Sequence, residues 1–473
     1  MLGHFSLGLL VVWACALVNT VVSVPVASTT VSNTGDQQKT ASIRAADGVF
    51  RGRRHGPSEM RRTFNKYNIP IHENLHNAVN RYLEEVPADQ TGSVPATSIE
   101  GDLEFVAPVG IGTPAQILSL DFDTGSADTW VFSNDTQAKA VKGQEILDLS
   151  KSTTAQQIPN CTWSIIYGDF SSSSGLVYRD TFTLGDLSIP NMTIESAQSV
   201  SQQLSKQKAM SGLVGLAFGS IIQTTPVQKA FLDFLPDVLK NPVFTVDLRH
   251  NSSDGSYNFG FIDDSLHTGD LEYINVDSSD GFWSVQMKGF ATQGSAISYE
   301  FAAPPAVILD TGSTLFYAPD QAVKQYYKTV PGANFSYEEY GWIIPCNATP
   351  PSFLWELADA NGTVVQGELP GDYLVYSRLN ATLSPGAPPD YCYSGLQTLG
   401  GFTSLEGIFG DVFLKAGFQV FDVARKRVGF APKALPGIQH PDPRGSGDDD
   451  DAEVQSEGAK RAVEMPKEKI ILY

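Results

Sequence analysis

The chain of 473 residues exceeds one domain, and its 42 Gly, 28 Pro and 10% aromatic residues, set among short Val/Ile/Thr/Phe runs, predict mostly β structure with few helices. A formal net charge of −20 at pH 7 argues against a nucleic-acid partner. It suits a protein that works in acid, where protonated carboxylates relieve self-repulsion; solubility alone is the plainer reading of the same charge.

In chain order, Phe5 to Val18 is almost wholly apolar and small residues follow, so residues 1–23 read as a signal peptide. No Lys or Arg precedes the run, which leaves an uncleaved anchor as the alternative. Residues 24–90 hold Arg51, Arg53, Arg54, Arg61, Arg62, Lys66 and Arg81, a basic island in an acidic chain. The same segment contains His72-Glu73-Asn74-Leu75-His76, a match to the zinc-peptidase pattern His-Glu-x-x-His, and a helix over Glu73 to Val86 would put both histidines on one face. Zinc chemistry also needs a third ligand and a substrate-binding sheet. His4, His55, His250, His267 and His440 stand in no supporting motif, so no metal or cofactor is assigned and the segment reads as a solvated helix. A Ser-His-Asp mechanism lacks a nucleophile motif near either body histidine, His250 or His267.

The tetrapeptide Asp-Thr-Gly-Ser then occurs twice, at Asp123 to Ser126 and at Asp310 to Ser313. A given tetrapeptide arises by chance at on the order of one position in 10^5, so two copies in similar contexts point to a duplicated lobe. Ile117 to Phe122 precedes the first copy and Ala306 to Leu309 the second, both readable as buried strands entering a turn, although an ordinary Asp-Gly turn is the plain alternative for either one alone. Each lobe would supply one carboxylate. Two like charges about 3 Å apart share a proton, so one carboxyl group accepts a proton from water while the other donates one to a substrate carbonyl. Gly125 and Gly312 permit a sharp turn, Thr124 and Thr311 can lock the loops together, and Ser126 and Ser313 can bond the carboxylates.

Residues 95 to 433 resemble the pepsin-like aspartic endopeptidases that fungi secrete. The resemblance rests on Asp121 to Ser133 with its Trp130, on Ile308 to Leu315, and on two apolar-apolar-Gly signatures, Leu213-Val214-Gly215 and Ile408-Phe409-Gly410. It implies an all-β, bilobal fold with the active site in a cleft between lobes: residues 91–275 carrying Asp123 and a flap, residues 276–433 carrying Asp310. It also implies protein or peptide substrates and no cofactor. Between the first Asp and its crossing segment, Trp163 to Ser174 followed by Gly175 reads as a β-hairpin able to close over a peptide. By resemblance Tyr167 is the flap tyrosine, bonded to the Trp130 indole, and Gly168 and Asp169 contact substrate backbone. Asp169 is the residue that would admit Lys before the scissile bond. Phe170 stands where fungal flaps usually carry Gly. Tyr317, Leu213 and Phe218 are candidate subsite walls whose plainer reading is core.

The resemblance further makes Cys346 and Cys392 a disulfide, worth roughly 4 kcal/mol by chain entropy. Cys15 leaves with the signal and Cys161 reads as a buried inert thiol. It makes residues 24–90 a propeptide whose Lys66-Tyr67 pair covers the catalytic carboxylates; processing at Arg54 or Arg62 by a dibasic-site protease is the alternative. Helical connectors are expected at Val227 to Leu239, Asp320 to Thr329 and Asp411 to Lys415. Sequons at Asn134, Asn160, Asn191, Asn251, Asn334, Asn347, Asn361 and Asn380 permit glycosylation. Residues 434–473, with Asp448 to Asp451 in a row, read as a disordered acidic tail. The expectation is a monomeric acid endopeptidase, made as a zymogen and secreted or vacuolar, with no stable membrane anchor and no nucleic-acid partner. A non-catalytic peptide-binding member of the same fold is the alternative.

Overall fold

Period-two alternation of apolar and polar side chains is what makes this sequence a β protein. In Gln156–Ile166 the inward set is Cys161, Trp163 and Ile165, and along Ser172–Leu184 nearly every second residue is buried. The computed structural model describes residues 90–99, 101–292, 298–379, 388, 390–399 and 405–435. The segments expected to be the signal, the propeptide through residue 89 with Lys66, Tyr67, His72, Glu73 and His76, and the tail beyond residue 435, together with Asn380, lie outside the described residues.

Three sheets are formed among the described residues. The largest has 14 strands and mixes early and late segments of the described body. Phe418–Asp422 pairs antiparallel with Val243–Asp247, and Arg427–Ala431 with Glu272–Asn275, so C-terminal strands close onto a frame shared with Gly255–Phe259 and Gly92–Ile99. The same sheet continues through Glu104–Ile111 and Gln116–Asp123 into the strands that bear the flap. An eight-stranded sheet surrounds Ala306–Leu309, and a four-stranded sheet contains Gly341–Pro345 and Tyr391–Ser394. The fold is mainly β and bilobal, as expected.

Aromatic residues fill the junction between the halves. Phe122 lies 4.7 Å from Tyr257 between ring centroids, Phe244 stacks on Phe421 at 4.6 Å, and the buried Trp283 donates its indole N–H to Leu216 O at 2.8 Å. Two buried ion pairs, Asp102–Lys415 at 2.7 Å and Asp247–Lys433 at 2.9 Å, tie C-terminal cations to first-half carboxylates. The Cys346–Cys392 disulfide forms, joining neighbouring antiparallel strands. Cys161 is free and buried, and burial pushes its thiol pKa up.

Two connectors are helical where expected: Asp320–Tyr326, continued by a 3-10 turn over Tyr327–Thr329, and Asp411–Leu414. The third is a correction. Val227 to Ala230 is not helical, and the remainder splits into a 3-10 turn at Phe231–Asp233 and one α turn at Leu235–Val238. Local side-chain bonds explain the late start: Gln228 N donates to Thr224 Oγ1 at 2.9 Å and Ala230 N to Asp233 Oδ2 at 3.0 Å. Pro236, which has no amide hydrogen, falls in the first turn of the second piece.

Candidate active site

Each Asp-Thr-Gly-Ser loop leaves a buried strand and is braced by a parallel crossing strand. Asp121, Phe122 and Asp123 face Leu213, Val214 and Gly215, while Val307, Ile308 and Leu309 face Gly407, Ile408 and Phe409. The main chain is further pinned, with Leu216 N donating to Asp123 O at 2.6 Å and Asp310 N to Phe409 O at 3.1 Å. Both apolar-apolar-Gly signatures of the crossing segments therefore lie directly beside the loops they were expected to support.

The two threonines interlock reciprocally. Thr124 N donates to Thr311 Oγ1 at 3.0 Å and Thr311 N to Thr124 Oγ1 at 2.9 Å. Thr124 Oγ1 in turn donates to Leu309 O at 2.8 Å, and Thr311 Oγ1 donates to Phe122 O. All four bonds are buried, where each is electrostatically stronger than in water and costly to leave unmade.

The carboxyl groups are held in mirror fashion. Asp123 Oδ1 accepts from Gly125 N at 2.7 Å and its Oδ2 from the Ser126 hydroxyl. Asp310 Oδ1 accepts from Gly312 N at 3.0 Å and its Oδ2 from the Ser313 hydroxyl at 2.5 Å. Each glycine also lies against the opposite carboxylate: a Cβ at Gly125 would collide with Asp310 and one at Gly312 with Asp123. The residues are 5% and 7% exposed, and the carboxyl groups lie within hydrogen-bonding range of each other. Burial, followed by the neighbouring Asp310 charge, drives the Asp123 pKa well above the carboxylate range.

Above the first loop, Gln156–Ile166 and Ser172–Leu184 form the expected hairpin. Trp130 Nε1 donates to Tyr167 Oη at 2.8 Å, and burial together with the Asp123 charge raises the tyrosine pKa. At the tip, Tyr167 N donates to Ser171 O and Phe170 N to Tyr167 O, both at 2.9 Å. Asp169 is exposed, with Oδ1 accepting from Ser171 N at 2.9 Å; Gly168 is exposed beside it. Of the candidate subsite walls, Leu213 is buried against Trp130, Phe218 packs on Trp283 at 4.5 Å, and the half-buried Tyr317 feels the Asp310 charge.

A second layer of buried acids went unread in the sequence. Asp121 and Asp411 are both raised well above the carboxylate range, Asp121 by burial and then the Glu104 charge, Asp411 by burial and then the Asp121 charge. Asp128 and Glu195 face each other behind Trp130. Burial pushes Asp128 up to about 6 and lifts Glu195 well above its ordinary value, helped by the Asp128 charge. Ionised carboxylates only accept hydrogen bonds, so this pair needs one proton to bond at all. The available signal was charge in an apolar register, as in Leu120-Asp121-Phe122 and Ile194-Glu195-Ser196.

Two interlocked loops presenting paired carboxyl groups under a hairpin define a bilobal aspartic peptidase. The profile of the eukaryotic aspartyl protease family matches residues 104–433. Endothiapepsin of Cryphonectria parasitica is 41% identical over 382 residues, covering 80% of this chain and 87% of that protein. Aspergillopepsin-1 of Aspergillus oryzae is 37% identical over 394 residues, covering 82% and 90%. The crystal structure of the aspartic proteinase from Irpex lacteus superposes with a TM-score of 0.59 at 25% identity, over 74% of this chain and all of that one. The chain belongs to the eukaryotic aspartyl protease family and is an aspartic endopeptidase.

Proposed function

We propose that Asp123 and Asp310 share one proton and together activate a single water against the carbonyl carbon of a scissile peptide bond. The observation that carries this reading is the matched pair of carboxyl groups, each fixed by a glycine amide and a serine hydroxyl. The ionised member takes a proton from water, the water oxygen adds to the carbonyl carbon, and the protonated member gives its proton to the carbonyl oxygen. As the resulting tetrahedral diol collapses, the carboxyl group that took the water proton passes it to the amide nitrogen, the C–N bond breaks and the amine leaves, and one diol hydroxyl proton returns to the ionised carboxylate, so the dyad again holds a single proton. Neither residue is assigned base or acid alone, because the pair titrates as a unit. Thr124 and Thr311 hold the loops in register, Trp130 positions Tyr167, and Gly168 and Asp169 meet the substrate backbone as the hairpin closes.

The enzyme works in acid, as a monomer, on protein or peptide substrates, with a first lobe over residues 91–275 and a second over 276–433. It is made as a zymogen in the secretory route and released outside the cell or to a vacuole. Residues 1–23 direct entry, and residues 24–90 inhibit through Lys66 and Tyr67 laid over the carboxylates. A cation there lowers carboxylate pKa values, so the clamp holds above those values and fails as pH falls through them. Among the described residues no helix is long and apolar enough to cross a membrane. A pH-rate profile of the acid-treated protein, with and without pepstatin, tests the mechanism: activity confined to acid and abolished by pepstatin is expected, and activity blocked by phenanthroline instead overturns it. Lys66→Met should move activation of the proenzyme to higher pH; an activation profile unchanged from wild type would discard the clamp.

A further inference from the structure

The tip of the hairpin is built against the conformational preference of its own sequence. A hairpin loop that ends in a left-handed residue favours glycine there, because a Cβ crowds the following carbonyl. Here the position is Phe170, with φ 64°. Eight non-glycine residues adopt positive φ among those described, and five are Asn or Asp, whose short polar side chains tolerate it. Tyr340, another exception, rests edge-on against Phe335 at 6.2 Å. Phe170 remains 67% exposed, beside an Ile166 that is 62% exposed.

The turn itself is well made. Tyr167 N to Ser171 O, Phe170 N to Tyr167 O and Ser171 N to Asp169 Oδ1 close it, and Ile166–Ser172 is the last strand pair beneath. The backbone therefore holds an aromatic ring in an unfavourable conformation and in water at once, with no compensating contact among the described residues. Three residues earlier, the Tyr167 hydroxyl is bonded to Trp130 and lies within the field of Asp123. The ring sits in the turn of the hairpin that carries Tyr167.

We propose that Phe170 is a specificity-determining residue: on hairpin closure its ring packs against a large apolar or aromatic side chain of the peptide next to the scissile bond. The inference rests on the reading of Asp123 and Asp310 as the dyad. Binding of such a side chain removes the ring from water, whereas a small side chain leaves it exposed. The preference for large over small residues is then partly written in this position.

Paired peptides differing only in Phe or Ala next to the cleaved bond provide the test, with kcat and KM resolved for wild type, Phe170→Gly, Phe170→Asn and Phe170→Tyr. Gly and Asn both accept the left-handed backbone, so these variants fold, and Phe170→Gly should melt about 2 °C higher. Both should lower the Phe/Ala ratio of kcat/KM by roughly tenfold, whereas Phe170→Tyr keeps it. A ratio unchanged within about twofold in Phe170→Gly, or an equal loss in Phe170→Tyr, overturns the proposal. Asp310→Asn assayed alongside separates the two readings: residual full activity there sinks the dyad, while a dead Asp310→Asn with an unaltered ratio in Phe170→Gly sinks only the role of the ring.

Discussion

Counted from each aspartate, the two loops agree at every position that touches the carboxyl groups and diverge immediately outside. Thr124, Gly125 and Ser126 repeat as Thr311, Gly312 and Ser313, with the same bonds. Two residues before the aspartate, however, Asp121 is matched by Ile308, and five residues after it Asp128 is matched by Leu315. Ile308 packs with Ala217, Phe282 and Ile408, and Leu315 packs on the main core. Shared chemistry forces identity only on the groups that hold the carboxylates. The first half adds the buried Asp121, Asp128 and Glu195 and the Tyr167 hairpin around its loop, whereas the second adds only the buried Asp411 among the described acids, whose N–H donates to Ser313 O at 2.7 Å, so the pair is symmetric in its contacts and asymmetric in its electrostatic setting.

The largest expected effect tests the symmetric part. Asp123→Asn and Asp310→Asn should each lower kcat by about 10^3 or more, read by peptide hydrolysis on protein of matched melting temperature. A loss confined to one of them breaks the equivalence of the loops. Next comes the staple, which exists only in the second half: Cys392→Ser should cost about 4 kcal/mol in urea unfolding by the chain-entropy relation. An unaltered midpoint would show that the four-stranded sheet does not depend on it.

The asymmetric part should appear as pH dependence. A carboxyl group whose folded pKa is raised contributes stability that is complete below its unfolded value and is lost as pH climbs through the folded value. For Asp128 the window runs from about 4 to about 6, and for Glu195, Asp121 and Asp411 it extends higher. Thermal melts should therefore fall between pH 4 and neutrality, with up to about 1.4 kcal/mol lost per pH unit per proton. Glu195→Gln removes one titration and should flatten that curve; a slope as steep as wild type would exonerate the pair. The smallest effect is expected from Tyr167→Phe, which deletes one hydrogen bond worth about 1 kcal/mol. It should lower kcat/KM by roughly tenfold or less with little shift in melting temperature.

What the residues alone disclosed was the pair of carboxylate loops proposed as the reaction machinery. The doubled tetrapeptide and the apolar runs before it are contiguous in the chain, so their reading follows from local geometry and the chemistry of carboxyl groups, whereas the two apolar-apolar-Gly signatures were placed by family resemblance. The hairpin was legible for the same reason, since alternation and a Gly-Ser turn region are local signals. The failed reading at Val227 to Ala230 shows where local signals mislead, because capping by Thr224 and Asp233 outcompeted helix propensity there.

Tertiary structure decided everything that joins residues distant in sequence. Only the fold could reveal that Phe418–Asp422 returns to pair with Val243–Asp247, that Asp128 meets Glu195, or that the charge of Asp121 reaches Asp411. Burial and proximity are collective properties of the packed chain, and a carboxyl group carries the same letter whether water solvates it or a neighbouring carboxyl group confronts it. Its pKa, and with it the pH range in which the protein holds together, is set by those surroundings.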